Sequence, residues 1–159
     1  MTQVASSPLG GVRGGLLSPH FDLSEFTRSA TAARLHIDNT PNAEQIANLR
    51  HLCEKVLEPL RERFGPIIIG SGFRCSQLNS AVGGVRNSQH KTGEACDIHL
   101  PSTEIGKEYF EFLKTLPEFD QLIMERDNPR SSHYWIHVSI KRSGHNRKQV
   151  IPLLNKYSH

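Results

Sequence analysis

The chain has 159 residues, of which 36% are hydrophobic and 22% charged, and its 19 lysines and arginines exceed its 16 acidic residues to give a net charge of +3. This composition is typical of one soluble globular domain and excludes a disordered, fibrous or coiled-coil chain. The one notable basic run, at residues 141–148, lacks interleaved aromatic residues and a recognised motif, which argues against nucleic-acid binding, although a mild positive charge suits an anionic partner.

The first 17 residues are rich in glycine, serine and proline, with Gly-Gly pairs at residues 10–11 and 14–15. This composition predicts a flexible leader, and we expect the folded domain to span residues 18–159. The N-terminus lacks the pattern of a signal peptide, and the sequence has no apolar stretch long enough to cross a membrane. The chain has three cysteines, an odd number without C-x-x-C spacing, so neither a disulfide framework nor a thiolate metal cluster is expected.

Two helices are predicted in the N-terminal half. Asp22, followed three residues later by Glu25, resembles a capping box that opens a short helix. Thr40 and Pro41 supply a cap and a first-turn proline for the main amphipathic helix. Pro59 is expected to kink this helix or to separate its last turn. Its apolar positions recur at helical spacing, at Ile46, Leu49, Leu52, Cys53, Val56, Leu57 and Leu60.

The central part of the chain mixes strands and helices. A β-branched run at residues 67–69 predicts a buried strand, and a short helix is expected over residues 76–81. Residues 95–100 alternate as a strand does. A second amphipathic helix is predicted over residues 102–116, because its apolar residues recur on one face.

The C-terminal part is predicted to form strands. Residues 120–126 and 134–141 flank a polar turn and predict an antiparallel hairpin, and residues 149–154 predict a final edge strand that Pro152 limits. Helices come first, followed by short strands around one inserted helix. This order indicates an α+β domain with a small, mainly antiparallel sheet packed by helices.

Three polar residues of the predicted strands and the preceding loop suggest a metal site. His90 precedes one strand, Asp97 lies in it, and His137 lies in another. Two imidazoles and one carboxylate give a tetrahedral Zn²⁺ three ligands and leave a fourth position for water, which is the layout of a catalytic site. The spacing alone also fits a loop histidine, a strand-end aspartate and a half-buried histidine with a backbone partner.

Three ordered segments of the sequence resemble a known family. They are S-G-F-R at residues 71–74, followed by Asn79 and Gly83-Gly84, then S-x-H-x-x-G-x-A-x-D at residues 88–97 and W-x-H-x-S at residues 135–139.

Together these segments are similar to the zinc D-Ala-D-Ala carboxypeptidases and related phage endolysins, which cut the stem peptide of peptidoglycan. The resemblance implies their fold, which hedgehog-type domains share. It also implies that His90, Asp97 and His137 hold one Zn²⁺ per chain, and that Arg74 holds a carboxylate or carbonyl oxygen of the substrate. A guanidinium suits this role because it stays charged and can bind an oxyanion with two parallel hydrogen bonds.

The general base departs from the pattern of part of that family, in which an acidic residue stands three positions before the last histidine ligand. Tyr134 occupies that position here. Glu125 is the first candidate, because it is an acidic residue in an otherwise apolar strand beside the His137 strand. Charged residues are rarely buried among apolar ones unless they have a partner or a function. His133 is the alternative, since it shares a strand face with Trp135 and His137 if the strand begins that early.

Other residues of the motifs are expected to have supporting positions. Trp135 is expected to pack against one wall of the cleft, and Ser139 to hydrogen-bond a ligand or the backbone. Glu94 is expected to be solvated, and His99 to be structural or to support a ligand.

The resemblance predicts a zinc metallopeptidase that hydrolyses an amide bond in the peptidoglycan stem peptide, either as a D,D-carboxypeptidase or as an endolysin-type endopeptidase. We expect a monomer without nucleic-acid or membrane partners, made in the cytoplasm without a signal peptide, that acts on the cell wall as phage- or prophage-encoded enzymes do. The alternative is a catalytically inactive, zinc-containing module that binds peptidoglycan. The bond that is cut stays open at this point.

Overall fold

A five-stranded sheet forms the frame of the protein, and the computed structural model describes residues 15–156. The strand order is β3-β4-β6-β5-β7, in which β3, β4, β6 and β5 pair antiparallel and β7 runs parallel to β5 at the edge. The strands are β3 (Ile69–Ser71), β4 (Ala95–His99), β5 (Gln121–Arg126), β6 (Tyr134–Ser139) and β7 (Gln149–Asn155). The predicted α+β class and the predicted hairpin of β5 and β6 are confirmed.

In the described part of the chain, a small hairpin and six α-helices surround this sheet. The hairpin pairs β1 (Leu16–Ser18) with β2 (Phe21–Asp22). The helices are α1 (Ser24–Thr27), α2 (Ala30–Leu35), α3 (Ala43–Leu52), α4 (Glu58–Phe64), α5 (Ser76–Ala81) and α6 (Thr103–Lys114). Within residues 15–156, no helix combines the length and apolar surface that a bilayer span requires.

The N-terminal segment differs from the prediction in two ways. Residues 1–14 of the predicted leader lie outside the described residues, but Leu16 and Leu17 form part of β1, and Leu17 is buried in the core. Folded structure therefore begins at Leu16, before the predicted boundary at residue 17, because Leu17 packs into the hydrophobic core. The helix predicted from Asp22 is a short α1 followed by α2, and the side chain of Ser29 caps α2.

The main helix is interrupted before Pro59. Its N-cap is Asn42, which forms a capping box with Gln45, and not the predicted Thr40. Helix α3 continues into a π-helical turn over Cys53–Leu57 and then into α4, near the start of which Pro59 lies. Proline has no N–H to donate. In the turn before Pro59 the backbone N–H groups bond five residues back instead of four, as from Glu58 to Cys53, and the helix then continues.

The two faces of the sheet have different roles. Alternate residues of β4 and β6 are buried in the core under the helices, among them Cys96, Ile98, Ile136 and Val138. Because successive side chains of a strand point to opposite faces, the intervening residues of the same strands point away from the core. The second face is therefore available for polar groups.

The first predicted strand is displaced along the chain. The run at residues 67–69 was expected to be a buried strand, but β3 begins at Ile69 and Ile68 is 58% exposed. This is consistent with the position of β3 at the edge of the sheet, where it pairs with β4 alone. The predicted helix at residues 76–81 is confirmed, as are β4 and α6 to within two residues at each end.

Candidate metal centre

The open face of the sheet brings two of the predicted ligands together. Asp97 of β4 and His137 of β6 are direct partners in the antiparallel register and therefore share one face. His90 lies just before β4, in a 3₁₀ turn over Gln89–Thr92. One ligand atom from each of His90, Asp97 and His137 lies within 4.8 Å of the other two.

The turn that carries His90 is shaped by its own sequence. The hydroxyl of Ser88 accepts a hydrogen bond from the backbone N–H of His90 at 3.2 Å, which starts the turn. Gly93 ends the turn with a φ of 80°, in the left-handed region. A Cβ at Gly93 would lie 2.5 Å from the backbone oxygen of Gln45 in α3. The glycine of the sequence motif therefore serves both a left-handed turn and a close approach to a helix.

Replacing Gly93 with alanine is expected to lower the free energy of unfolding by at least about 2 kcal/mol, since a left-handed backbone alone costs roughly 1–2 kcal/mol and the contact with Gln45 adds to it. Gly83 is the matched control, because its φ is 75° and nothing lies within 4 Å of its Cβ position. Urea denaturation of both variants measures the difference. Equal destabilisation by Gly93→Ala and Gly83→Ala would contradict the close approach.

Hydrogen bonds orient the imidazole of His90. Its Nδ1 lies 2.7 Å from the carbonyl oxygen of Gly72. Because a carbonyl can only accept, Nδ1 carries the proton and Nε2 presents a lone pair. Burial lowers the pKa of His90, although Asp97 opposes this effect, so the neutral ring is favoured.

The carboxylate of Asp97 stands between the two rings. Its Oδ1 lies 3.3 Å from Nε2 of His90 and 3.1 Å from Nδ1 of His137. A carboxyl group is ionised at neutral pH, so the Asp97 carboxylate faces the lone pair on Nε2 of a neutral His90 at 3.3 Å. This pair of acceptors calls for a cation between them.

This donor set fits a zinc ion. Nitrogen and carboxylate oxygen are both zinc ligands, and three protein ligands leave one position of a tetrahedron open. The carbonyl of Gly72 fixes the tautomer of His90, which is the support that a ligating imidazole needs from its surroundings. His90, Asp97 and His137 are thus the residues that could hold the metal.

Arg74 and Glu125 line the same cleft as the three ligands, and its volume is about 740 Å³. Glu125 of β5 is the register partner of Trp135 and lies two residues after Ile123, the partner of His137. Its carboxylate is therefore on the face of the sheet that holds His137. The indole Nε1 of Trp135 donates to Oε1 of Glu125 at 3.1 Å. Burial raises the pKa of Glu125, and the negative charge of Asp97 adds to the rise.

The structure places His133 and Tyr134 away from the ligand cluster. The side chain of His133 is 67% exposed, and its Nδ1 lies 4.0 Å from a carboxylate oxygen of Asp127. It precedes β6, which begins at Tyr134. The Tyr134 side chain packs on the core side of the sheet, where its hydroxyl accepts a hydrogen bond from Arg126 at 3.1 Å. An acid at position 134 would therefore lie on the wrong side of this sheet.

The remaining motif residues have local partners. The buried hydroxyl of Ser139 accepts a hydrogen bond from the backbone N–H of Gln121 at 3.1 Å. Glu94 accepts a hydrogen bond from the hydroxyl of Thr92 at 2.6 Å, and His99 is exposed. Burial raises the pKa of the Cys53 and Cys96 thiols, so neither offers a thiolate.

Sequence reasoning missed a buried ion pair beside the candidate metal centre. Asp120 has 0% relative exposure, and its carboxylate binds the guanidinium of Arg147, which lines the cleft. The two residues are 27 positions apart, and no periodicity joins them. The one available signal is an acidic residue at the start of an apolar strand.

A family model described as Peptidase M15 matches residues 19–139. Arg74, His90, Asp97, Glu125 and His137 all lie within the matched span, which ends before Arg147. No curated protein matches the chain.

Proposed function

Because the chain belongs to the peptidase M15 family of zinc metallopeptidases, we propose that it hydrolyses an amide bond in the stem peptide of peptidoglycan. The bond is either the terminal D-Ala–D-Ala linkage or an internal linkage of the same peptide. The observation that carries this proposal is the placement of the three ligand residues, a buried glutamate and an arginine along one cleft.

In this proposal His90, Asp97 and His137 hold the zinc ion. When bound, zinc polarises a carbonyl group and lowers the pKa of water. The two imidazoles and the carboxylate are held in place before substrate arrives, because Gly72 orients His90 and the strand register pairs Asp97 with His137.

Glu125 is the proposed general base. Its Oε1 is bound by the indole of Trp135, which leaves Oε2 to take a proton from the attacking water and to pass it to the leaving amine. A carboxylate with a raised pKa suits both halves of this transfer, since it is a stronger base than an exposed glutamate and still gives the proton up.

Arg74 is proposed to hold the substrate. It follows β3 and lines the cleft that contains the ligands. Its backbone N–H donates to the carbonyl of His90 at 3.0 Å, so the arginine is tied to the turn that carries a ligand. From this position the guanidinium can bind a substrate carboxylate or the oxygen of the scissile carbonyl.

Muropeptide digestion tests the proposal. The purified protein is incubated with muropeptides in the presence of zinc or of a chelator, and the products are identified by mass spectrometry. Metal-dependent release of D-Ala would support a carboxypeptidase, and a metal-dependent internal cut would support an endopeptidase. Intact muropeptides in every reaction, with zinc shown to be bound, would contradict hydrolysis of this substrate.

A zinc-containing module that binds peptidoglycan without cutting it is the second candidate. It follows from Tyr134, which stands where several members of the family that the motifs resemble have an acid, and it applies if Glu125 does not act as the base in place of that acid. This candidate predicts bound zinc and affinity for peptidoglycan in a pull-down, with no product in the digestion. Glu125→Gln would then leave every readout unchanged.

Replacing Trp135 with phenylalanine tests whether its indole N–H stabilises the ionised form of Glu125. The acid limb of the kcat/KM profile is expected to move to higher pH by about one unit, because a hydrogen bond to a charged group is lost. The sign follows from the role of Glu125: the base acts ionised, so activity falls as the pH drops through its pKa, and losing the donor raises that pKa. An unmoved limb would show that Glu125 does not set it.

A further inference from the structure

The buried carboxylate of Asp120 holds the side chain of Arg147 in a fixed orientation. The guanidinium donates from Nε to Oδ1 at 3.0 Å and from Nη2 to Oδ2 at 2.7 Å, in a two-pronged arrangement. The backbone N–H of Arg147 donates to Oδ1 as well, at 2.9 Å. The arginine is thus held at its backbone and at its head group by one carboxylate.

The carboxylate that holds Arg147 is fully buried. Asp120 has 0% relative exposure, and a buried charge is stable only when it is paired and hydrogen-bonded. The amide of Gln89 donates to its Oδ2 at 3.0 Å, and Nζ of Lys141 lies 3.9 Å from Oδ1. Although burial opposes ionisation, the bonds from Arg147 and Gln89 lower the pKa of Asp120 to about 2. The Asp120 carboxylate, which anchors Arg147, therefore stays charged at neutral pH.

The anchored guanidinium borders the metal cleft. Gln89 precedes the ligand His90, so the same carboxylate ties Arg147 to the ligand turn. The side chain of Arg147 is 48% exposed. A guanidinium has five N–H donors, and only two of them are directed at Asp120, so the remaining donors are available to a ligand.

The charges of the cleft favour an anionic ligand. Arg74, Arg147 and Lys156 line it, against the acidic Asp97 and Glu125. A bound divalent cation would add to the positive side. Arginine also matches carboxylate geometry better than lysine does, because its planar fork donates two parallel hydrogen bonds.

We propose that Arg147, fixed in place by the buried Asp120, binds a carboxylate of the peptide substrate. Arg147 is the binding residue and Asp120 is a positioning residue. The inference rests on the proposed function for the identity of the peptide. It adds to that function a carboxylate subsite whose binding residue, Arg147, lies outside the matched family span. The carboxylate is either the C-terminal one or the internal one of a γ-D-glutamyl residue.

Matched peptides distinguish these two sources. A stem pentapeptide is prepared with both carboxylates free, with the C-terminus amidated, and with the γ-D-glutamyl carboxylate amidated. For the zinc-loaded wild type, one of the two amides is expected to raise KM about 10- to 100-fold relative to the free acid, as the loss of a charge-assisted hydrogen bond predicts. If neither amide changes KM or the affinity measured below, the inference is overturned.

Arg147→Gln is the principal variant. It is expected to raise KM for the free acid about 10- to 100-fold with kcat unchanged, and to abolish the preference for acid over amide. Arg142→Gln is the matched control, since it removes the same charge from an arginine five residues earlier that does not line the cleft and whose partners are Asn48 and Glu44. A preference for the acid that survives in Arg147→Gln would overturn the inference.

Asp120→Asn tests the positioning role. It keeps Arg147 and removes the charge of its anchor, so the preference for the free acid over the discriminating amide, measured as the ratio of their KM values, is expected to fall between the ratios of the wild type and of Arg147→Gln. The ratio is used because Asp120 also binds Gln89 beside His90, and a change there affects both peptides alike. Should this variant fail to fold, Arg147→Lys serves instead, because it keeps the charge and loses the planar fork. An acid preference equal to the wild type's in a folded variant would contradict positioning by Asp120.

A binding measurement separates this inference from the proposed hydrolysis. Calorimetry with the zinc-loaded Glu125→Gln protein gives the affinity for the acid and for each amide, with and without Arg147→Gln. If the wild type cuts no peptide but Arg147→Gln weakens binding of the acid alone, hydrolysis is wrong and the carboxylate subsite stands. If peptides are cut but Arg147→Gln leaves the affinities and KM unchanged, the subsite is wrong and hydrolysis stands.

Discussion

Replacing His137 with alanine is expected to reduce turnover of the peptide substrate by roughly 1000-fold or more, since the metal supplies several kcal/mol of transition-state stabilisation. His137 provides one of the two imidazoles of the site, and its Nδ1 lies 3.1 Å from Asp97. Its loss leaves one imidazole and one carboxylate, which bind zinc poorly. Metal content by mass spectrometry and turnover of muropeptides are the two measurements.

The control for this variant is His99→Ala. His99 lies two residues after Asp97 on β4 and is exposed, outside the ligand cluster. It should keep both metal and activity. Circular dichroism should show the same fold in both variants, because His137 is in contact with the cleft and the core lies on the other face of the sheet. Wild-type turnover by folded His137→Ala would show that this ligand set is wrong.

Glu125→Gln is expected to lower kcat by about 10²- to 10⁴-fold, the usual contribution of a positioned general base. The substitution keeps the shape of the side chain and removes its ability to take a proton. Zinc content should stay at the wild-type level, since Glu125 is not among the three residues that could hold the metal. Steady-state kinetics together with metal analysis separates this effect from loss of the ion.

Two further substitutions make the result specific. Glu94→Gln changes a glutamate close to the ligands whose carboxylate is bound by Thr92, and it should be nearly neutral. His133→Ala removes the alternative base and should also be nearly neutral, because this side chain is 67% exposed and does not line the cleft. A large loss in His133→Ala, with Glu125→Gln active, would reverse the two assignments.

Much of this protein follows from the sequence alone. The alternation of apolar residues along β4 and β6 places Asp97 and His137 on the faces opposite the core, because side chains of a strand alternate with a period of two. The polar turn between β5 and β6 predicts a hairpin, and that hairpin sets Glu125 beside the His137 strand. Ordered motifs at residues 71–74, 88–97 and 135–139 indicate the family to which the chain belongs. All of these features depend on residues close together in the sequence, so they can be predicted from short sequence patterns.

The tertiary structure alone decided the features that depend on distant residues. The carbonyl of Gly72 that orients His90 comes from a residue 18 positions away, and the anchor of Arg147 comes from 27 positions away. The face occupied by Tyr134 depends on where β6 begins, and the burial of Leu17 depends on the helices it packs against. Such contacts have no period in the sequence, since they arise only when separate elements pack around one core and bring their unpaired polar groups together.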